Sequence, residues 1–370
     1  FESGAVYIPS SAYDTSSNKV VIAYRDNDNN YYGTAIVGTV SGTSISFGTA
    51  VVFESANFKQ SSITFDSSNN KFVIAYSDGG NSDYGTAIVA TVSGTNISFG
   101  SATVFESASI ESSSCAFDAN AGKVVIAYKD EGNSNSGTAV VGTVSNTSIS
   151  FGTPVAFCSS SGSYSIVYNP DAQNVIIAYQ RSSTGKAIVG TVSGTGISFG
   201  SENQFTSNNI VYISAVYAVA SQRIVVSFQD SSNSSKGTAV VGSISGNTIS
   251  FGSTVVFNNA STVYIWSTYH EASQKVVVVY TDETGSSNHG KFSVGTISGT
   301  AISFATASTF ASASTTYSDS IYDPDTEQVV VSFRDVANSN RGKSVVFSID
   351  YSTTNLTAEN YIGMSSGVVV

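Results

Sequence analysis

Apolar runs of six residues, each ending in an aromatic, recur along this chain between polar turns. KVVIAY at residues 19–24 returns as KFVIAY (71–76), KVVIAY (123–128), NVIIAY (174–179), RIVVSF (223–228), KVVVVY (275–280) and QVVVSF (328–333). The closing aromatics are Tyr24, Tyr76, Tyr128, Tyr179, Phe228, Tyr280 and Phe333, spaced 49 to 53 residues apart. Short runs rich in Val, Ile and aromatics between polar turns read as buried strands. No amphipathic stretch at helical spacing extends beyond a few residues.

Around each run the pattern predicts three more strands. The first ends in an aromatic, often followed by Asp or Asn, as in Tyr13-Asp14, Phe65-Asp66, Phe117-Asp118 and Tyr168-Asn169. A polar turn leads to the second strand, and a Gly/Asn-rich loop such as DNDNNYYG leads to the third, GTAIVGTV. A tight SGT turn then gives a fourth strand, SISFGTAVVFES. Four short antiparallel strands in each of seven units of about 50 residues is the pattern of a propeller blade. The expected fold is all-β, a seven-bladed β-propeller over residues 1–350, with a linear stack of β-units as the rival. Residues 351–370 are expected to be a closing segment or an exit to a further module.

The chain opens on FESGAVYIPSSAYD, and the same motif returns as FESANFKQSSITFD (53–66) and FESASIESSSCAFD (105–118). The seventh unit has a third strand, GKSVVFSID, but no SFG after it. The opening FES is therefore expected beside the last unit, helping to close the ring, since unpaired edges invite separation or aggregation. The alternative is that NLTAENYIGMS supplies that outer strand. The natural chain is expected to extend beyond both ends.

Composition narrows the function. Charged residues are only 11% and hydrophobic residues 41%, so solubility rests on hydroxyls and amides over a real core. The net charge of −11 disfavours a polyphosphate partner, so nucleic acid is not expected. No run of 18 apolar residues is present, so no membrane insertion is expected. Cys115 and Cys158 align with Ile63 and Glu54 of the second unit, one within an inner strand and one past an outer strand. They are expected to be free thiols.

Candidate chemistry is sparse. Asp26, Asp78, Asp130, Asp230, Asp282 and Asp335 recur two positions after the second-strand aromatic, with Arg181 breaking the series. A carboxylate repeated once per unit reads as a turn cap, with calcium as the alternative for the oxygen-rich loops. His270 and His289, the two histidines, lie on opposite loop sets. No Asp-box turn, GxSxG elbow, phosphate loop or zinc spacing occurs. No catalytic residue, metal or cofactor is therefore assigned. Gly38, Gly142, Gly190, Gly242 and Gly295, lying mid-strand, are expected to permit close backbone approach or a bulge.

The segments leading into the inner strands vary most. They carry Tyr7, Phe58 with Lys59, Ile110 with Glu111, Tyr164, Tyr212, Tyr264, Trp266 and Tyr317. Neighbouring loops add Tyr31, Tyr32, Tyr84, His289 and Arg341. In a propeller these connections share one face. Tyr7, Phe58, Tyr164, Tyr212, Tyr264, Trp266, Tyr317 and His289 are thus the candidate ligand-binding set around one mouth. Aromatic faces among Asn and Ser suit sugar rings. The competing reading is that these aromatics seal the channel or pack between blades.

The run VVIAYRDNDNNYYGTAIVGTVSGTSISFGTAVVFESA resembles repeats in tail-fibre and virion proteins of marine bacteriophages and in some large bacterial surface proteins. YSTTNLTAENYIGMSSG resembles the junction that follows such propellers. The resemblance covers nearly the whole chain. It implies a virion or extracellular location and a structural or host-recognition role. The expected function is non-enzymatic recognition of a host-surface glycan or protein. Other virion proteins, or further copies of the chain, are the remaining partners it implies. The alternatives are a structural spacer or decoration protein, and a polysaccharide-degrading enzyme.

Overall fold

The computed structural model describes residues 1–285 and 288–349. They form antiparallel strands with a few single-turn 3-10 helices. The seven repeats appear as seven strand groups. In the first, residues 6–14 pair with Lys19–Asp26, which pairs with Tyr32–Ser41 in a register that sets Ile22 opposite Ile36. The expected fourth strand is two pieces, Ser44–Phe47 and Val51–Glu54, which pair with the two halves of the third strand. The expected closing or exit segment, residues 351–370, lies outside the described residues.

Hydrogen bonding divides the strands into sheets of 16, 9 and 5, none of which closes on itself. The large sheets arise because some strands, such as Thr103–Asp118, run unbroken from the outer edge of one unit to the inner edge of the next. Side-chain packing continues where the sheets stop. Each of seven apolar clusters straddles two consecutive units, and one joins Val330 and Val346 of the seventh to Val6, Ile22 and Tyr24 of the first. Glu2 also pairs with Gly342 of the seventh unit's third strand. The opening FES thus lies beside the seventh unit, as expected.

The FES motif is the joint. Its phenylalanine leaves one unit and packs against the second-strand aromatic of the next. Phe53 meets Tyr76, Phe105 meets Tyr128 and Phe1 meets Tyr24, with centroids 5.2–5.7 Å apart. The glutamate accepts a hydrogen bond from the same tyrosine: Glu2 from Tyr24, Glu54 from Tyr76 and Glu106 from Tyr128, at 2.8–3.0 Å. A buried hydroxyl needs such a partner. Where Cys158 replaces the glutamate, Tyr179 donates instead to Glu202 at 2.7 Å. Where Thr206 and Ala311 replace it, the aromatics are Phe228 and Phe333, which carry no hydroxyl. In the sixth unit Tyr280 bonds Ser293. Each loss of the acceptor is matched by loss or redirection of the donor.

Two glycine series set the spacing. A Cβ on Gly100 would lie 1.7 Å from the Thr147 carbonyl oxygen, and one on Gly48, Gly152 or Gly252 about as close to Thr95, Thr195 or Thr300. The glycine of SFG therefore lets the next unit's turn sit against the break in the fourth strand. The mid-strand series works differently from the expected bulge. A Cβ on Gly38 would meet Ile45 and Phe47 at 2.7–3.1 Å, so the gap admits cross-strand side chains.

Five of the six expected turn caps form, and Asp335 does not cap its turn. Asp26, Asp78, Asp130, Asp230 and Asp282 accept main-chain N–H bonds within their loops, and Asp335 pairs with Lys343. His270 holds its turn through Ser273 in the place taken elsewhere by Asp14 or Asp66. Cys115 and Cys158 are free and buried, and burial pushes the Cys115 thiol up to about 12.

On the inner strands a polar ring ties the units together. Ser62, Ser114, Ser165 and Ser214 accept main-chain N–H bonds from Cys115, Ile166, Ala215 and Ser267 of the following unit, at 2.8–3.2 Å. In the seventh unit the position is Asp319, which accepts from the Ser11 N–H and hydroxyl of the first. In the sixth it is Trp266, opposite Val279. Asp319 is 1% exposed, and its Oδ1 has no hydrogen-bond partner among the described residues. Burial, only partly offset by the Ser11 bonds, pushes its carboxyl up to about 7.

Two outcomes follow from this packing. Gly100→Val should destabilise the protein by about 2 kcal/mol or more, because main chain must move. Ala305→Gly should change little, since the sixth unit already carries a Cβ there. Urea titration of both variants checks this, and a neutral Gly100→Val contradicts it. For Asp319 the folded state holds its proton more tightly than the unfolded chain. Its contribution is greatest below about pH 4 and is lost as pH rises through 7, on the order of 4 kcal/mol in all. Asp319→Asn should therefore remove a fall in stability between pH 4 and 7. Parallel slopes for the two proteins would refute the assignment.

Candidate functional site

In six of the seven units the start of the inner strand, or the segment leading into it, is bonded to the preceding unit's second-to-third loop. The N–H groups of Phe58, Ile110, Ser161, Thr262, Thr315 and Val6 reach the carbonyls of Tyr31, Asp83, Asn135, Ser235, Asn288 and Asn340, at 2.9–3.0 Å. The two variable loop sets thus share one face, and the seventh-to-first junction is built like the others. Just beyond these bonds the inner strand bulges, between Tyr7 and Ser10 in the first unit and between Val263 and Trp266 in the sixth. A bulge re-aims side chains and often sits beside a site.

The residue at the bulge takes a left-handed conformation: Ile8, Ser112, Tyr212, Tyr264 and Tyr317, with φ of 50–54°. A bulky residue there costs on the order of 1 kcal/mol, and strain of this kind collects at functional sites. Three consecutive units accept it for a tyrosine. The rings form a row: Tyr212 to Tyr264 at 5.3 Å, Tyr264 to Tyr317 at 4.5 Å, and Tyr317 to Tyr7 at 4.8 Å. Burial holds the phenols of Tyr212, Tyr264 and Tyr317 above their usual range, which keeps them neutral donors near pH 7.

The row forms one side of a cavity of about 250 Å³ at the centre of the inner strands. Trp266, Tyr212, Tyr264 and Tyr317 line the aromatic side, from the fifth to seventh units. Gln60, Ser112, Ser163 and Tyr164 line the other, from the second to fourth, together with Ser61 and Ser113, whose hydroxyls are themselves buried. The cavity thus has one stacking wall and one wall richer in polar groups. Chemically it suits a ring with an apolar face and several hydroxyls.

The sequence-selected residues divide. Tyr7, Tyr212, Tyr264 and Tyr317 make the row, and Trp266 lines the cavity while packing against the cluster between the sixth and seventh units. Tyr164 lines the cavity but is 8% exposed and belongs to the core between the third and fourth units. Phe58 is a correction. It is fully buried between Phe53 and Tyr76, because it matches Val6 in register and not Tyr7. A one-residue offset turns a strand side chain to the opposite face. His289 opens the sixth unit's third strand opposite Asp282 and Ser314 and does not line the cavity.

Two residues passed over by the sequence reading join the row. Arg25 and Arg334 lie over the Tyr7 ring, 4.5 and 4.0 Å from its centroid, and Arg25 also lies 5.5 Å from Tyr31. Tyr31 is 50% exposed. The available signal was the residue after the second-strand aromatic, Arg in YRD and FRD. Among the described residues no group of three or more His, Cys, Asp or Glu is arranged to hold a metal ion. Nor is any helix long and apolar enough to cross a membrane.

No protein-family model matches the chain, and no curated protein does. Solved structures do. The BP39L lectin from Burkholderia pseudomallei superposes with a TM-score of 0.70 at 9% identity, covering 99% of each chain. The NanB sialidase from Streptococcus pneumoniae gives 0.54 at 13% identity, over 95% of this chain and 70% of that one. AofleA from Arthrobotrys oligospora gives 0.52 at 8% identity, over 83% and 88%. At these identities the likeness is one of fold, an all-β antiparallel architecture shared with a lectin and a sialidase.

Proposed function

We propose that this chain is a glycan-recognition module on a seven-bladed β-propeller, with its ligand at the mouth of the central cavity. The observation that carries the reading is the divided cavity, tyrosines and Trp266 facing serines and Gln60. The propeller itself is supported by seven inter-unit clusters that return from the last unit to the first. The lectin and sialidase folds among its structural neighbours are consistent with a carbohydrate ligand.

The module is read as binding without turnover. Glycoside hydrolysis uses two carboxyl groups flanking one bond. The inner ring offers a single carboxylate, Asp319, which is buried and engaged by Ser11. In keeping with the tail-fibre-like repeat, the ligand is proposed to be a host-surface glycan and the setting a virion or cell exterior.

Tyr264→Ala should weaken binding about tenfold with little loss of thermal stability, since it removes a stacking face from a half-buried side chain that lies outside the apolar clusters. Trp266→Ala should weaken binding and also cost about 2 kcal/mol of stability, because the indole packs between units. The assay is binding to immobilised bacterial and algal polysaccharides and whole cells, with reducing-sugar release read in the same wells. Unchanged binding by Tyr264→Ala would remove the site, and sugar release would remove the non-enzymatic reading.

A further inference from the structure

We propose that the seventh-to-first junction of the mouth is an anion subsite, and that the glycan it takes is acidic, carrying a carboxylate or sulfate. This rests on the glycan reading above and specifies its ligand class.

The argument comes from comparing units within one chain. The residue after the second-strand aromatic faces a fixed partner across the bulge. In the third unit Lys129 faces Glu111, and the two make an ion pair at 2.6 Å. In the first unit the same pair is Arg25 and Tyr7, and in the seventh Arg334 and Thr316. The cation is kept while its carboxylate is gone. Neither arginine makes an ion pair among the described residues.

Neutral amides orient both arginines. Arg25 Nε donates to Asn27 Oδ1 at 2.9 Å, and Arg334 Nε and Nη2 donate to Asn340 Oδ1 at 2.9 and 2.6 Å. The terminal nitrogens of Arg25 and Nη1 of Arg334 have no protein acceptor among the described residues. The two cations share the Tyr7 ring and sit half-buried, and Arg25 is disfavoured first by desolvation and also by Arg334. Two half-buried guanidinium groups on one ring, with no carboxylate paired to either among the described residues, call for an anion, and their planar forks match carboxylate or sulfate oxygens. Tyr7 links them to Tyr317 and the tyrosine row. An acidic sugar stacked on that row would carry its charged group to this junction.

The test uses the full chain and three oligosaccharide probes: alginate (uronate), carrageenan (sulfate) and laminarin (neutral). At least one acidic probe should bind more tightly than laminarin and weaken with added salt. Arg25→Gln and Arg334→Gln should each weaken it about tenfold, while laminarin binding and thermal stability hold. Lys129→Gln should leave all three unchanged. The preferred probe tells carboxylate from sulfate. If laminarin binds best, or the arginine variants bind acidic probes as wild type while Tyr264→Ala weakens them, the subsite is wrong and the glycan reading stands. If Tyr264→Ala also changes nothing, or no probe or wider glycan panel binds, the glycan reading falls and the subsite with it.

Discussion

A phenylalanine leaves each outer strand to pack on the second-strand aromatic of the following unit, and in the first three such joints a glutamate beside it accepts that tyrosine's hydroxyl. The contact does two jobs. It helps bury the second-strand aromatic between units, and it satisfies a buried donor across the joint. Its logic shows best where it varies: Phe228 and Phe333 stand where the acceptor is absent, and Tyr179 finds Glu202 when Cys158 takes the usual place. Because Phe1 and Glu2 make the same contact with Tyr24, the seventh-to-first joint differs little from the others.

Regular joints leave the mouth as the place where the units differ. The left-handed bulge position carries Ile8, Ser112 or tyrosine with little effect on the sheets below, since the strand register resumes at once. Tyrosines in the fifth to seventh units, serines and Gln60 in the second to fourth, and two arginines at the seventh-to-first junction make an asymmetric surface from a symmetric frame. Asp319 and Trp266 break the inner serine ring in neighbouring units, on the aromatic side.

The architecture was legible because the period is written several times over, in the second-strand runs, the SFG motif and the FES motif. The broken fourth strand was not read, because the strand formers on both sides of Gly48 in SISFGTAVVFES suggest one run; the glycine was the local signal, and what it admits is the neighbouring turn. The site was half legible. Tyr212, Tyr264 and Tyr317 stood out as aromatics in a variable segment, but so did Phe58, and only the pairing register separates a mouth residue from a core one. Arg25 and Arg334 were hidden because YRD and FRD look like Lys129's YKD. The difference lies across the strand, in Tyr7 and Thr316 against Glu111.

One asymmetric mouth, and not the repeat, is proposed to carry recognition, and binding stoichiometry separates the two. Calorimetric titration of the chain with a short acidic oligosaccharide should give one site per chain, abolished or weakened together by changes at Tyr264 and Arg334. A stoichiometry approaching seven, unaffected by those changes, would place the ligand between the repeated units and contradict the account.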